Sequence, residues 1–161
     1  MKIIYQCYGG SHSSVLAAAI HLQLVNIKIF PSYDELFALP YFDKTDDDDF
    51  GSIRKMGLDE WGNEVYVLGK KDFTTSYSKT LYGLACLLGV ENQFLTIDVI
   101  DEVNWLMKIG GYTSRKLNLV KVGRFFLYYG TKKSFHKLVR VVENIKIQLG
   151  KINNENITYR K

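Results

Sequence analysis

The feature that most constrains the fold is the start of the chain, where an apolar run passes through two glycines into an Ala- and Leu-rich run. The segment Lys2–Cys7 predicts a strand, and residues 13–24 predict a helix. Gly9 and Gly10 turn the chain between these two elements. The chain therefore begins with a βα unit that has a tight turn.

The rest of the sequence continues to alternate predicted strands and helices. Ser32, with Glu35 three residues later, forms a capping box that opens a short helix to Leu39, and Pro40 ends it. The other predicted elements are a hairpin over residues 53–68 with its turn at 59–63, a helix over 74–88 ending at Gly89, a strand over 94–99, a helix over 101–109 before Gly110 and Gly111, a strand over 119–129 and a helix over 132–149.

This alternation predicts an α/β fold with a mostly parallel sheet and helices on both faces, in the Rossmann-like or flavodoxin-like class. The hairpin would add an antiparallel element at one edge. A length of 161 residues with 47% hydrophobic residues suits one core. We expect a single domain over residues 1–150 and a polar C-terminal tail over residues 151–161.

Composition limits which partners the protein can have and in which cellular compartment we expect it. A net charge of +4 is too small for a dedicated nucleic-acid binder. Two cysteines, Cys7 and Cys86, are too few for a disulfide framework or a four-ligand zinc site. We predict a reduced, cytoplasmic protein without a membrane partner or a metal, because the chain shows neither a signal peptide nor a membrane-spanning run. The acidic run at residues 46–49 is interpreted as a solvated loop.

The turn after the first strand carries the chemistry. In parallel sheets, ligands bind at the carboxyl ends of strands, where helix N-termini favour negative charge. Glycines allow close backbone approach, hydroxyls donate hydrogen bonds, and a histidine adds a switchable donor. The predicted anion or phosphate site consists of Gly9, Gly10, Ser11, His12, Ser13 and Ser14. The alternative interpretation is that the serines only cap the helix and the glycines only form the turn.

The segment CYGGSHSS resembles the phosphate loop of low-molecular-weight tyrosine phosphatases and the cysteine loop of phosphotransferase-system IIB proteins. The resemblance implies candidate catalytic roles for Cys7 and His12. Ser13 stands where the phosphatases have an arginine, so a phosphocysteine mechanism would lack a main electrostatic support. Candidates for a general acid are Asp43, Asp98 and Asp101. Cys7 could equally be a small apolar strand residue.

A second junction, YYGTKKS at residues 128–134, is predicted as another strand end followed by a helix start. Lys132 and Lys133 would then reach a polyanion at the same sheet edge as Gly10. The alternative is that they are ordinary surface lysines.

As a whole, the opening IIYQCYGGSHSSVLAAAIHL and the hairpin MGLDEWGNEVYVLG resemble an uncharacterised domain-of-unknown-function family of low-GC Gram-positive bacteria. The resemblance implies a cytosolic bacterial protein without an assigned reaction. The first functional hypothesis is binding of a nucleotide or phosphorylated small molecule, with enzymatic activity and cofactor open. The alternative is a non-enzymatic regulatory or protein-interaction module that uses the basic C-terminal helix. Nucleic-acid binding is the least favoured of the three.

Overall fold

The structure is a computed structural model that describes residues 1–73, 76–115, 117 and 119–158. Its strands are β1 (Lys2–Cys7), β2 (Ile53–Leu58), β3 (Glu64–Gly69) and β4 (Phe94–Asp98). Its helices are α1 (Ser13–His21), α2 (Tyr33–Ala38), α3 (Ser76–Leu87), α4 (Trp105–Arg115) and α5 (Val120–Thr158). Short 3-10 turns cover Asp47–Asp49, Glu91–Gln93 and Ile100–Glu102.

The strands form one open sheet in the order β2-β3-β1-β4. β1 is parallel to both β3 and β4, and β2 pairs antiparallel with β3 at the edge. The hairpin turn forms because the Asp59 carboxylate accepts the backbone N–H groups of Trp61 at 2.9 Å and Asn63 at 2.8 Å. The predicted α/β fold and its edge hairpin are confirmed.

The two faces of β1 meet different helices. Tyr5 hydrogen-bonds His21 of α1 at 2.8 Å on one face, and the neighbouring Gln6 hydrogen-bonds Ser78 of α3 at 2.5 Å on the other. The connection after β1 and the connection after β3 therefore leave the sheet toward opposite faces. The carboxyl ends of the parallel strands β1, β3 and β4 lie at one edge of the sheet, the edge at which open α/β sheets bind ligands.

Several predicted helix boundaries are close to the observed ones. The capping box at Ser32 and Glu35 is confirmed, and it opens α2. α1 ends at His21, earlier than predicted. α3 covers most of the predicted third helix, while Thr74 and Thr75, its predicted start, lie outside the described residues.

The prediction for the C-terminal third of the chain was wrong. No break occurs at Gly110 and Gly111, which lie inside α4, and the predicted strand over residues 119–129 is the first part of α5. These glycines serve helix packing: a Cβ on Gly110 would lie 2.6 Å from the Leu127 backbone N, and one on Gly130 would lie 2.8 Å from that of Met107. α5 also continues past Gly150 as one helix.

A buried polar network crosses the core between β1, α1 and the hairpin turn. His21 Nε2 lies 3.2 Å from Asp59 Oδ2, and the Tyr5 hydroxyl lies 2.8 Å from His21 Nδ1. Burial raises the pKa of Asp59, but hydrogen bonds from Asn63 outweigh that effect and hold it below its usual range. The ionised carboxylate only accepts, so His21 carries a proton on Nε2. Burial lowers the pKa of His21 and favours the neutral ring, whose Nδ1 then accepts the hydrogen bond from the Tyr5 hydroxyl.

This network predicts a loss of stability in mild acid. Burial lowers the pKa of His21 below 6.5, more than the hydrogen bond to Asp59 and its charge raise it. Because the pKa of His21 is lower in the folded protein than in the unfolded chain, His21 contributes its full stabilisation at pH values above the unfolded pKa. This stabilisation is lost as pH falls through the folded pKa. We expect the free energy of unfolding to fall by up to about 1.4 kcal/mol per pH unit below about pH 6.5.

Urea unfolding of the wild type and of His21→Gln at several pH values checks this expectation. The variant should be less stable at neutral pH and should show a flatter pH dependence in the same window. An equal slope in both proteins would mean that another group is responsible.

None of the helices in the described ranges has an apolar stretch long enough to cross a bilayer.

Candidate functional site

The turn between β1 and α1 packs directly against the end of β3. Gly10 has a φ of +62°, and a Cβ on it would lie 2.8 Å from the Gly69 Cα. A Cβ on Gly69 would lie 2.8 Å from the carbonyl O of Gly9. The Lys70 N–H also donates to the Cys7 carbonyl at 3.0 Å. The glycine turn after β1 and the glycine at the end of β3 are therefore in backbone contact.

Cys7 is the last residue of β1 and is buried in the core beneath the turn. Its Sγ accepts the Gly10 N–H at 3.2 Å and lies 3.1 Å from Ser14 Oγ. The structure thus places the thiol in contact with the turn. Its role as a nucleophile stays a prediction.

The N-terminal end of α1 carries hydrogen-bond donors without acceptors. Within the described part of the chain, no group accepts the backbone N–H groups of residues 11–14. His12 occupies the N-cap position, but its side chain makes no capping hydrogen bond. Ser13 is fully buried, and its hydroxyl has no partner among the described residues. A buried helix end without acceptors is unfavourable.

His12 does not contact Cys7 in the described contacts; its ring pairs with Asp43. His12 Nε2 lies 3.4 Å from Asp43 Oδ1, and the ring packs edge-on against Phe42 with 5.6 Å between centroids. Of the three candidate general acids, Asp43 is therefore the one beside the turn. The structure brings this pair together across 31 positions of sequence.

Asp43 is the centre of a buried polar cluster. Its Oδ2 accepts Ser114 Oγ at 2.9 Å and Arg124 Nε at 3.0 Å, and its side chain is 1% exposed. Its backbone N–H donates to the Ser11 carbonyl at 3.1 Å, and its carbonyl accepts Arg115 at 3.0 Å. The cluster ties the turn to α4 and α5.

The surroundings of Asp43 keep it ionised. Burial raises the pKa of the carboxyl, but hydrogen bonds from His12 and Arg124, the charge of His12 and the Ser114 hydroxyl together lower it below its usual range. The buried negative charge is therefore compensated by the chain's own donors.

Arg54 supplies a guanidinium that the loop itself lacks. It extends from β2, and its Nη2 donates to the Gly10 carbonyl at 2.7 Å and to Thr45 Oγ1 at 3.0 Å. Its Nε is buried without a partner in the part of the chain that the structure describes. Sequence reasoning missed this residue because it lies 44 positions from Gly10. A positively charged group therefore contacts the turn despite Ser13 at the phosphatase arginine position.

The other two candidate general acids lie elsewhere. Asp98 ends β4 and forms an ion pair with the buried Lys70, and its Oδ1 accepts the Ile100 N–H at 3.0 Å. Asp101 is exposed in a 3-10 turn. Neither has a described contact with the turn between β1 and α1.

The structure removes the reason for including Lys132 and Lys133 in the site. Both are exposed on α5, which is one continuous helix where a strand end was predicted. In the segment predicted as a strand, residues 119–129, Leu127 is the buried hydrophobic residue, and Phe135 and Leu138 are buried further along the same helix.

The acidic loop at residues 46–49 forms two ion pairs with arginines. Asp46 forms an ion pair with Arg115 at 2.5 Å, and Asp49 lies 3.6 Å from Arg54. Within the described ranges, no group of three or more His, Cys, Asp or Glu side chains could hold a metal ion.

Two cavities lie away from this turn. One of about 820 Å³ lies between the end of α1 and the second half of α5 and is lined by residues such as Ile20 and Val142. The other, of about 260 Å³, lies beside Phe30 and Pro31. The turn between β1 and α1 lines neither cavity.

Comparison with known proteins identifies one family. A family model described as "Protein of unknown function (DUF3189)" matches residues 2–147, which is nearly the whole chain. No curated protein and no solved structure matches the chain.

Proposed function

We propose that this chain, which belongs to the DUF3189 family of proteins of unknown function, binds a small oxyanion at the turn between β1 and α1. Because the function of the family is unknown, the proposal rests on the chain's own residues. The ligand would be inorganic phosphate or the phosphate group of a nucleotide or other small molecule. One observation carries the proposal: among the residues that the structure describes, several donors of the turn have no acceptor, including the buried Ser13 hydroxyl.

The groups without partners near the turn are all hydrogen-bond donors. The N–H groups of residues 11–14, the Ser13 hydroxyl and the Arg54 Nε–H all lack acceptors within the described residues. The one nearby carboxylate of the buried cluster, Asp43, is already occupied by His12, Ser114 and Arg124. An oxyanion would satisfy these donors and interact favourably with the α1 dipole.

His12 supports an acid–base role at this site. Asp43 accepts the Nε2–H and fixes the ring, which leaves Nδ1 as the nitrogen that exchanges a proton. Phosphotransfer through Cys7 is not required, since the proposal concerns binding.

Replacing Ser13 with alanine tests the site directly. Without ligand, the variant loses an unpartnered buried hydroxyl, so its free energy of unfolding should rise by about 1 kcal/mol. With phosphate at about one hundred times its Kd, the wild type should gain about 2.7 kcal/mol and the variant distinctly less. Thermal unfolding with and without phosphate, against chloride at equal ionic strength, gives both values.

Thr131→Val is the matched control. Thr131 is also fully buried with an unpartnered hydroxyl, but it lies on α5. This variant should gain stability without losing the response to phosphate. If phosphate stabilises none of the three proteins beyond chloride, or stabilises Ser13→Ala as much as the wild type, the turn is structural and the proposal is wrong.

A second candidate is a non-enzymatic module that binds an acidic protein surface. Between Glu102 and Glu143 the sequence has no acidic residue, and α5 exposes Lys132, Lys133 and Lys137 there. This function needs no ligand at the turn. It ranks second because exposed lysines also occur on purely solvated helix faces.

A further inference from the structure

Two aromatic side chains form a corner beside the turn between β1 and α1. Tyr8 directly precedes Gly9 and is 45% exposed. Its ring meets the ring of the partly buried Phe50 at an interplanar angle of 82°, with 6.2 Å between the ring centroids. We call Tyr8 and Phe50 the aromatic corner. Its exposed member, Tyr8, is open to solvent next to the turn.

Main-chain hydrogen bonds fix the aromatic corner to the strands that carry the turn. The Lys71 N–H, just beyond β3, donates to the Tyr8 carbonyl at 2.8 Å. The residue after Phe50 is held as well, because the Gly51 N–H donates to the Gly69 carbonyl at 2.9 Å. Gly69 is also the residue whose backbone contacts the glycine turn. The aromatic corner and the proposed oxyanion site therefore share one main-chain framework.

A cation lies against the aromatic corner. Lys71 Nζ is 5.4 Å from the centroid of the Phe50 ring. Asp49, the acidic residue before Phe50, lies 3.6 Å from Arg54 and so already has a positively charged partner. Aromatic side chains next to a cation bind the flat face of a nucleobase by stacking. A sugar phosphate without a base has no such face and would leave the aromatic corner unused.

We propose that the ligand is a mononucleotide whose base stacks on Tyr8 while its phosphate binds the donors of residues 11–14. This inference rests on the proposed oxyanion function and narrows its ligand class. Three residues of chain, from Tyr8 to Ser11, span at most about 11 Å. The turn shortens that distance, since the Gly10 N–H folds back to Cys7 Sγ at 3.2 Å. A ribose joins a base to a phosphate over a distance of this order.

Calorimetry on the full chain tests the proposal with adenosine monophosphate and with ribose 5-phosphate, which carries the same phosphate without a base. The wild type should bind the nucleotide about tenfold more tightly, because stacking of one base on an aromatic side chain contributes about that factor. Tyr8→Leu should lose this preference while its affinity for ribose 5-phosphate stays that of the wild type. Tyr8→Phe keeps the ring and should keep the preference.

Tyr129→Leu is the matched control, because Tyr129 is 51% exposed on α5 and its described ring contacts are with Phe125 and Tyr128. It should bind both compounds as the wild type does. If the wild type binds neither compound nor inorganic phosphate, the oxyanion function is wrong and this proposal fails with it. If the wild type binds both compounds equally, or if Tyr8→Leu keeps the preference or weakens both compounds alike, the oxyanion function stands and the nucleotide assignment is overturned.

Discussion

Replacing Gly10 with alanine should lower the free energy of unfolding by about 3 kcal/mol or more, one of the two largest single-residue effects that we expect in this chain. Two costs combine. A left-handed backbone, here with a φ of +62°, is unfavourable for alanine. The added Cβ would also collide with the backbone of Gly69, which cannot move without shifting the end of β3. Urea unfolding measures the loss.

Gly62→Ala separates these two costs. Gly62 has a φ of +78°, but an added Cβ there would meet no atom within 4 Å. This variant should lose only the conformational cost, about 1 kcal/mol. Equal losses in the two variants would show that the contact between Gly10 and Gly69 is looser than described.

Replacing Asp43 with alanine should cost about 3–5 kcal/mol, because it leaves buried donors and positive charge without compensation. Arg124, Ser114 and His12 would all lose their acceptor. The lowered folded pKa of Asp43 adds a pH dependence. Its contribution is present above the unfolded pKa of about 3.9 and is lost as pH falls through the folded pKa, so the difference between wild type and variant should shrink in strong acid.

Two variants serve as controls for Asp43. Asp43→Asn keeps the size and tolerates the φ of +53°, so it isolates the loss of charge and should cost less than alanine. Asp46→Ala removes the ion pair between Asp46 and Arg115, in which the Asp46 side chain is 83% exposed. It should lower the free energy of unfolding by less than about 1 kcal/mol. If Asp43→Ala costs no more than Asp46→Ala, the cluster does not hold the turn to α4 and α5.

The parts of the fold that sequence could predict are those set by neighbouring residues. β1, the turn with Gly10 and the start of α1 follow from alternation, glycine and a helix-forming run. The capping box at Ser32 and the hairpin turn at Asp59 also depend on contacts within four residues.

The C-terminal helices were mispredicted because their sequence carries a conflicting local signal. Residues 119–129 contain valines and aromatic residues that favour strands, while Gly123 and Gly130 are poor helix formers. Packing against α4 decides the outcome: a Cβ on Gly123 would lie 2.5 Å from the Ser114 Cβ. The stabilisation from this packing comes from a contact between two separate helices, which a short stretch of sequence does not contain.

The candidate site divides in the same way. Its donors at residues 11–14 belong to one continuous segment and could be predicted. Arg54 was not predicted, and Asp43 was only one of three candidate acids, because their contacts with the turn join residues 31 to 44 positions apart. The partners of Asp43 on α4 and α5 are more distant still, at 71 positions for Ser114 and 81 for Arg124.

The backbone contact between Gly10 and Gly69 would also affect how tightly the turn binds the proposed oxyanion. A loop locked against a neighbouring strand has already lost its conformational freedom during folding, so association would require no further ordering of the main chain. Preorganisation of this kind favours selectivity by size, because the donors cannot spread to fit a larger group. In an NMR titration with phosphate, the backbone amide resonances of residues 11–14 should then shift, with little change in their order parameters.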